Sequence, residues 1–443
     1  MRKRRVWPKV VLAGMTILVV FLLAEIVFRI AYRGMQIGVD ANEICLKEFW
    51  RQLPNDQDGR ITNFTYHYRN LRIDPLIGLT VMPNTTHADP VELVVPGTQN
   101  SRVVPVKKKF LLYREFHHNA QGLSNVESFS ARKPLNASVR IAMFGDSFTC
   151  GSQVPLLFSF PALLQELIPQ SEVLNFCVLS TGIETMYARY LLEGRNYSPD
   201  IVVFNVLVDD LARPFGCPVL KPRLTLLNNT MYIGPRQYPT LKDFHEQYRP
   251  PVLESYALKS AAYAYSVSSK YREDLQKGLE LFGVMIDDVS RVARQDNATF
   301  MVSLIQGPNP TPLDAEYYNK LKTLLSKKNV VFFDSLAYFE TKRQEYRNQS
   351  FWYIEEGQGL GHYSVIGNAL HAQGVKKTLE RAGLARAGQE YRFTNFENEG
   401  ALWLIPYQSD VRLLQGKDAG VRVLFPYAEL GATKRTYSAQ IEV

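Results

Sequence analysis

The chain has 443 residues, of which 46% are hydrophobic and 12% aromatic, a composition that argues against a disordered or low-complexity protein. Its formal net charge of +8 would suit nucleic-acid binding, but five of the basic residues precede position 10. The rest of the chain is close to neutral, so we expect no nucleic-acid partner. The N-terminal basic residues are Arg2, Lys3, Arg4, Arg5 and Lys9.

An apolar stretch follows these basic residues and predicts a transmembrane helix. Fifteen uncharged residues run from Val10 to Ala24, and a helix from Val10 to Tyr32 would be about 34 Å long, enough to cross a bilayer. The basic flank predicts a cytoplasmic N-terminus and an extracytoplasmic body, in the periplasm or at the cell surface. Residues 1–35 are therefore interpreted as a single-pass signal anchor, with a cleaved signal peptide as the alternative.

Two regions with different patterns follow the N-terminal segment. Residues 36–137 predict an irregular, mixed lead-in, because turn signals such as DPLIG and MPNTT separate the strand-like runs VELVV and SRVVPV. Residues 138–383 alternate strands with helices, which predicts a parallel sheet covered by helices on both faces. The predicted strands are VRIAMF (139–144), VLNF (173–176), PDIVVFNVLV (199–208), TFMVSLI (299–305) and VVFFD (330–334), and the predicted helices cover 160–168, 183–195, 272–294 and 364–381.

Two segments depart from this alternation. Residues 213–275 are rich in proline and predict an insertion at the rim of the sheet, with a hairpin in LTLLNNTMYI turning at Asn228-Asn229. Residues 384–443 contain β-like aromatic runs and predict a small C-terminal β extension.

The cysteines and histidines give no metal-binding pattern. The four cysteines do not have metal-ligand spacing and are too few for a disulfide framework, so we expect free buried thiols, with Cys150 packing in a turn. The pair His117-His118 has no carboxylate or cysteine at ligand spacing. We therefore expect neither a metal nor another cofactor. The cysteines are Cys45, Cys150, Cys177 and Cys217.

Three reactive side-chain types fall at strand ends or helix starts on one predicted edge of the sheet. Ser147 ends the stretch IAMFGDS, the pair Asp209-Asp210 follows PDIVVFNVLV, and His362 precedes the last helix. Ligands of open α/β sheets bind beyond the carboxyl ends of the strands. A serine attacks an acyl carbon when a base takes its proton, and histidine is the usual base. The alternative is that Gly-Asp-Ser is only a turn.

In the order of its motifs, the chain resembles the SGNH (GDSL-type) hydrolase family, in its membrane-anchored bacterial branch. IAMFGDSFTCG followed by VP resembles the GDSF block of that branch, and DPLIGLTVMPN and FHHNAQGLS resemble the stretches before it. VLNFCVLSTGIET, PDIVVFNVLVDDL and GHYSVIGNALHA follow in the order of the later blocks. The resemblance covers about residues 70–382. It implies a three-layer α/β/α fold with a flavodoxin-like parallel sheet.

The resemblance implies that Ser147 is the nucleophile and that His362 is the base. Ser147 would also donate its own N–H to the oxyanion, together with Ser180 or Gly182 from the second block of the family, here VLNFCVLSTGIET. Ser180 stands where the family usually has glycine. Asp209 stands where the third block of the family, here PDIVVFNVLVDDL, usually has asparagine. An ionised Asp209 would repel an oxyanion instead of donating to it.

The acid that orients the histidine is missing from its usual place in this family, where Gly359 and Leu360 stand. Glu355 or Glu356 in the same loop, or the pair Asp209-Asp210 across the strand ends, are candidates for this role. A Ser-His dyad, with a backbone carbonyl holding the ring, is the alternative.

From the sequence we expect a serine esterase that acts on an O-acylated carbohydrate or lipid at the cell envelope through an acyl-Ser147 intermediate. Transfer of the acyl group to an envelope polysaccharide is a second interpretation. A degenerate member that binds glycan without turnover is a third, favoured by the changes at Asp209, Gly359 and Leu360. The expected partners are the acylated substrate and a membrane contacted through the N-terminal helix, and the oligomeric state is left open.

Overall fold

The computed structural model describes residues 7–31, 71–99, 102–216, 220–227, 230–234, 256–307, 310–345, 351–355, 361–386, 412–415, 421–425 and 437–441. The described strands are β1 (Leu71–Asp74), β2 (Gly78–Val81), β3 (Thr85–Gln99), β4 (Arg102–His118), β5 (Val139–Gly145), β6 (Ser171–Cys177), β7 (Ile201–Leu207), β8 (Arg223–Leu227), β9 (Thr230–Gly234), β10 (Thr299–Ile305), β11 (Val331–Asp334), β12 (Trp352–Glu355), β13 (Gly361–Tyr363), β14 (Arg412–Gln415), β15 (Val421–Phe425) and β16 (Tyr437–Ile441). The described α-helices are α1 (Trp7–Ala31), α2 (Ser147–Cys150), α3 (Phe160–Leu167), α4 (Ile183–Leu192), α5 (Tyr256–Gln295), α6 (Pro312–Lys327), α7 (Ser335–Lys342) and α8 (Val365–Arg381).

A five-stranded parallel sheet forms the centre of the fold, in the order β6-β5-β7-β10-β11. Counted along the chain this order is 2-1-3-4-5, the flavodoxin-like order, in which the connections reverse direction between β5 and β7. The strands are apolar because helices cover both faces of the sheet; every residue of β5 is buried. The predicted parallel α/β sheet is therefore confirmed.

The two faces of the sheet carry separate hydrophobic clusters. Along β5, Ala142 and Phe144 pack toward α4, α5 and α6. Ile141 and Met143 point the other way and pack with α3, α7 and α8. This two-residue alternation is that of a strand buried on both sides, and it produces the three layers expected from the sequence.

A second sheet, antiparallel, contains the strand that carries His362. Its order is β13-β12-β3-β4, so the long hairpin of β3 and β4 continues into the strands just before α8. Ile354 of β12 lies opposite Val94 of β3, and His362 of β13 lies opposite Tyr353. Much of the lead-in that was predicted to be irregular is therefore regular hairpin, built from strands longer than the runs visible in the sequence.

The accessory segments contain a hairpin, a long helix and a small sheet. Strands β8 and β9 form the predicted hairpin, although Asn228 and Asn229 lie outside the described residues. Helix α5 begins at Tyr256, so the last part of the predicted insertion is helical. Strands β14, β15 and β16 form a small antiparallel sheet in the predicted C-terminal extension.

The N-terminal segment forms the helix α1. Among the residues that the structure describes, no helix combines the length and the apolar character required of a membrane span. The transmembrane helix predicted for residues 1–35 is therefore not supported.

Cys150 and Cys177 form a disulfide bond, which corrects the expectation of free thiols and of a packing role for Cys150. Their Cα atoms are 5.3 Å apart. Adjacent parallel strands bring the two residues together: Cys177 ends β6 opposite Gly145 of β5, and Cys150 lies in α2 just beyond it. The prediction was wrong because this adjacency depends on strand order. Cys45 and Cys217 lie outside the described residues.

Candidate active site

The Gly-Asp-Ser turn places Ser147 at the carboxyl edge of the sheet, where the connections reverse direction. Gly145 is required there, because a Cβ at this position would lie 1.9 Å from Thr149 Oγ1. Asp146 caps the short helix α2 by accepting the Phe148 N–H at 3.0 Å. Gly151 ends this helix with a left-handed φ of 70°. Ser147 is consequently the first residue of a tight helical turn directly after a buried strand.

The structure brings Ser147 and His362 together. His362 Nε2 lies 2.7 Å from Ser147 Oγ, so an unprotonated Nε2 accepts the serine proton. Ser147 Oγ also lies 3.4 Å from Asp146 Oδ2. This is the arrangement of nucleophile and general base that acyl chemistry needs.

Gln153 holds the backbone of His362 in place. The His362 N–H donates to Gln153 Oε1 at 3.1 Å, and the Gln153 side chain is buried. The imidazole also packs against Phe148, with ring centroids 4.8 Å apart. The loop that follows Ser147 therefore positions His362. Sequence reasoning missed Gln153, whose only signal was its position shortly after the Gly-Asp-Ser turn.

The third-block carboxylates Asp209 and Asp210 lie in a short 3₁₀ turn after β7 and bind Arg213. Asp210 is buried and accepts from the Leu207 N–H at 2.9 Å and from Arg213 Nη1 at 2.6 Å. Asp209 is 45% exposed and accepts from Arg213 Nε at 2.9 Å and from Tyr271 Oη at 3.3 Å. Sequence reasoning missed Arg213; its signal was the i+3 and i+4 spacing from the two aspartates.

Electrostatics in this cluster disfavour the negative charge of Asp210. Burial, and next the negative charge of Asp146, raise the pKa of Asp210 well above its usual value, although Arg213 and the Leu207 N–H oppose this. Burial disfavours the charge of Arg213, but the carboxylates of Asp210, Asp209 and Asp146 outweigh that effect and raise the pKa of Arg213. Arg213 therefore stays charged among the three carboxylates.

Ser180 and Gly182, in the second block, lie in the loop between β6 and α4. Ser180 is exposed and has a φ of +58°, in the left-handed region that glycine adopts at little cost. This conformation gives a physical reason for the glycine usual at that position in the family. Gly182 approaches the third block closely, since a Cβ there would lie 2.6 Å from the Asp210 carbonyl oxygen. Its N–H lies 3.4 Å from Glu184 Oε1.

For Glu355, one of the two predicted acids, the structure describes only the backbone. The Glu355 backbone ends β12 opposite Leu93, and Glu356 lies outside the described residues, as do Gly359 and Leu360. The orienting acid therefore stays a prediction.

Two buried histidines away from Ser147, His371 and His118, are structural. His371 is fully buried and its Nε2 lies 2.8 Å from Ser303 Oγ, while burial lowers its pKa to about 3. His118 is buried too, with Nδ1 3.0 Å from Thr85 Oγ1, and chiefly burial lowers its pKa to about 3. Both rings are neutral near pH 7. In the described part of the chain no three His, Cys, Asp or Glu side chains group in a way that could hold a metal ion.

Comparisons with known proteins found similar chains among the solved structures. No family model and no curated protein matches the sequence. The chain is similar, at 14% identity and a TM-score of 0.33, to Axe2, an acetylxylan esterase from Geobacillus stearothermophilus, with 56% of this chain and 96% of that chain covered. A putative lipolytic protein of the G-D-S-L family from Desulfitobacterium hafniense DCB-2 matches at 14% identity and a TM-score of 0.31, covering 55% of this chain and 100% of that chain. TesA matches at 14% identity and a TM-score of 0.32, covering 55% and 98%.

TM-scores this low indicate only a distant likeness, so the fold and the site are interpreted from this chain itself. A parallel sheet in the order 2-1-3-4-5 carries Ser147 beyond its first strand, and His362 contacts that serine from just before the last helix of the sheet domain. Both residues therefore lie at one edge of a parallel sheet, as the sequence resemblance implied.

Proposed function

We propose that the protein is a serine esterase of the SGNH type that acts on an O-acylated carbohydrate or lipid. The observation that carries this proposal is the 2.7 Å contact between Ser147 Oγ and His362 Nε2. The substrate class follows from the sequence resemblance.

The reaction proceeds in two halves. Ser147 Oγ attacks the acyl carbon while His362 Nε2 takes its proton, and the tetrahedral intermediate expels the alcohol, which receives that proton from His362. Water then attacks the acyl-Ser147 ester, and His362 again takes and returns a proton, releasing the carboxylic acid. The Ser147 N–H and an N–H of the second block, at Ser180 or Gly182, stabilise the oxyanion in each half.

The proposal includes an extracytoplasmic location for the domain. The Cys150–Cys177 disulfide supports it, because such bonds persist in oxidising compartments. Alkylation of intact cells followed by mass spectrometry tests this part. Recovery of both cysteines as alkylated thiols would contradict it.

The esterase proposal is tested with the full-length chain, p-nitrophenyl acetate and a fluorophosphonate probe. We expect the wild type to hydrolyse the ester and to be labelled, Ser147→Ala to do neither, and His362→Ala to be slowed by about 10³-fold or more. The controls are Ser130→Ala and His117→Ala, which change the same residue types away from the Ser147–His362 pair.

Three other outcomes would change the proposal. Labelling that persists in Ser147→Ala would remove Ser147 as the nucleophile. Release of p-nitrophenol that is accelerated by a saccharide acceptor, with the acetyl group recovered on the sugar, would show acyl transfer in place of hydrolysis. A folded wild type with no labelling and no turnover would support the binding-only interpretation.

A further inference from the structure

One guanidinium, that of Arg213, connects three segments of the candidate site. Its Nη1 donates to Asp146 Oδ2 at 2.8 Å in the nucleophile turn and to the Thr181 carbonyl oxygen at 2.7 Å in the second block. The same nitrogen lies 2.6 Å from Asp210 Oδ1, so its two hydrogens are shared among three acceptors, and Nε donates to Asp209 Oδ2 at 2.9 Å, both in the third block. The loops after β5, β6 and β7 are therefore tied to a single side chain.

The charges make this side chain difficult to replace. Asp146 and Asp210 are fully buried, and the Arg213 side chain is only 21% exposed. Buried carboxylates require a compensating partner, and loss of that partner is strongly destabilising. Without Arg213 the edge of the sheet would hold three carboxyl groups at the point where the reaction creates a further negative charge.

The guanidinium is also close to the nucleophile. Arg213 Nη1 and Ser147 Oγ both contact Asp146 Oδ2, at 2.8 and 3.4 Å, so they lie no more than about 6 Å apart. The oxyanion forms on the carbon that Ser147 Oγ attacks. Asp209, at the position of the family's asparagine, disfavours that charge, whereas a neighbouring guanidinium favours it.

We propose that Arg213 is a positioning residue that holds the three loops together and neutralises the acidic third block, so that the site can stabilise an oxyanion without the usual asparagine. This inference rests on the proposed esterase function. Arginine suits the role better than lysine because Nε holds Asp209 while Nη1 contacts the other three acceptors, whereas the single nitrogen of an ammonium could not reach both places.

The test compares Arg213→Met, Arg213→Lys and the double variant Asp209→Asn/Arg213→Met with the wild type in p-nitrophenyl acetate hydrolysis and fluorophosphonate labelling. We expect Arg213→Met to lower kcat by about 100-fold with little change in KM, and Arg213→Lys to lower it by about tenfold. Adding Asp209→Asn to Arg213→Met should restore part of kcat, because one uncompensated carboxylate is removed.

The matched control is Arg195→Met, which removes an arginine that holds Asp296 by two hydrogen bonds, 2.6 and 2.9 Å long, away from the site. Its kcat should equal that of the wild type, even if its melting temperature falls as far as that of Arg213→Met. An unchanged kcat in Arg213→Met, or in Arg213→Lys if the methionine variant does not fold, would overturn the proposal. If kcat does not recover in the double variant, the proposal that Arg213 compensates the charge of Asp209 would be overturned. If the wild type itself is unlabelled and inactive, the esterase proposal fails and this inference fails with it.

Discussion

Ser147 Oγ and His362 Nε2 lie 2.7 Å apart, although 215 positions separate the two residues in the chain. The serine follows a strand of the parallel sheet, and the histidine belongs to a strand of the antiparallel sheet. Their alignment therefore depends on the contacts that hold β13 against the nucleophile loop, chiefly the Gln153 hydrogen bond and the Phe148 ring.

Gln153→Leu is expected to lower kcat by about tenfold with little change in KM, because the His362 N–H loses a buried acceptor and the ring is no longer held at Ser147. Steady-state hydrolysis of p-nitrophenyl acetate measures both constants. Gln165→Leu is the matched control, since Gln165 Oε1 accepts the Val173 N–H at 2.8 Å away from the site. Equal kcat values in the two variants would contradict a positioning role for Gln153.

The Cys150–Cys177 disulfide is expected to stabilise the folded protein by about 3.5 kcal/mol, because it closes a loop with a sequence separation of 27. Urea denaturation of the Cys150→Ala/Cys177→Ala variant measures this difference. The wild type treated with a reducing agent is the control and should lose at least a similar amount, with Cys150 and Cys177 identified as reduced thiols by alkylation and mass spectrometry. A reduced wild type that is as stable as the oxidised one would show that the bond contributes nothing.

Acid should destabilise the protein through His371. Burial lowers the pKa of this imidazole to about 3, whereas in the unfolded chain it binds a proton near pH 6.5. The unfolded state therefore binds more protons below pH 6.5, and stability is lost as the pH falls toward 3. We expect about 3 kcal/mol of this loss by pH 4.5, and His371→Gln should remove it. Urea unfolding at pH 7 and pH 4.5 is the measurement; identical pH dependence in both proteins would contradict it.

Asp210 should change the stability with pH in the opposite direction to His371. Burial and the charge of Asp146 raise the pKa of Asp210, so the folded state binds more protons than the unfolded state above about pH 4. Its contribution to stability therefore falls as the pH rises toward the folded pKa. Asp210→Asn keeps an oxygen for only one of the two donors, because Asp210 accepts from Arg213 at Oδ1 and from the Leu207 N–H at Oδ2. The prediction therefore concerns the change with pH: the stability of the variant relative to the wild type should rise between pH 4 and pH 8, by about 1.4 kcal/mol per unit of the raised pKa. Urea unfolding from pH 4 to pH 8 tests this, and a constant difference would disprove it.

The strands of the parallel sheet could be predicted from sequence because burial on both faces requires continuous apolar runs, as in β5 and β7. Ser147 and His362 could be selected because motif order placed both at one edge of that sheet. The Cys150–Cys177 bond could not be predicted from sequence, since it depends on β5 and β6 being neighbours in the sheet. Spacing alone could connect Arg213 with Asp209 and Asp210, but not with Asp146 and Thr181, which become its neighbours only when separate loops converge.

The pairing of β12 with β3 determines where the protein can be divided. A fragment that starts at the Gly-Asp-Ser strand would contain the whole parallel sheet but would lack the hairpin of β3 and β4. The strand next to the one that carries His362 would then present an open edge of unpaired N–H and C=O groups, which promotes aggregation. For recombinant expression or domain shuffling, the smallest transferable unit therefore begins before Thr85 and includes the lead-in hairpin.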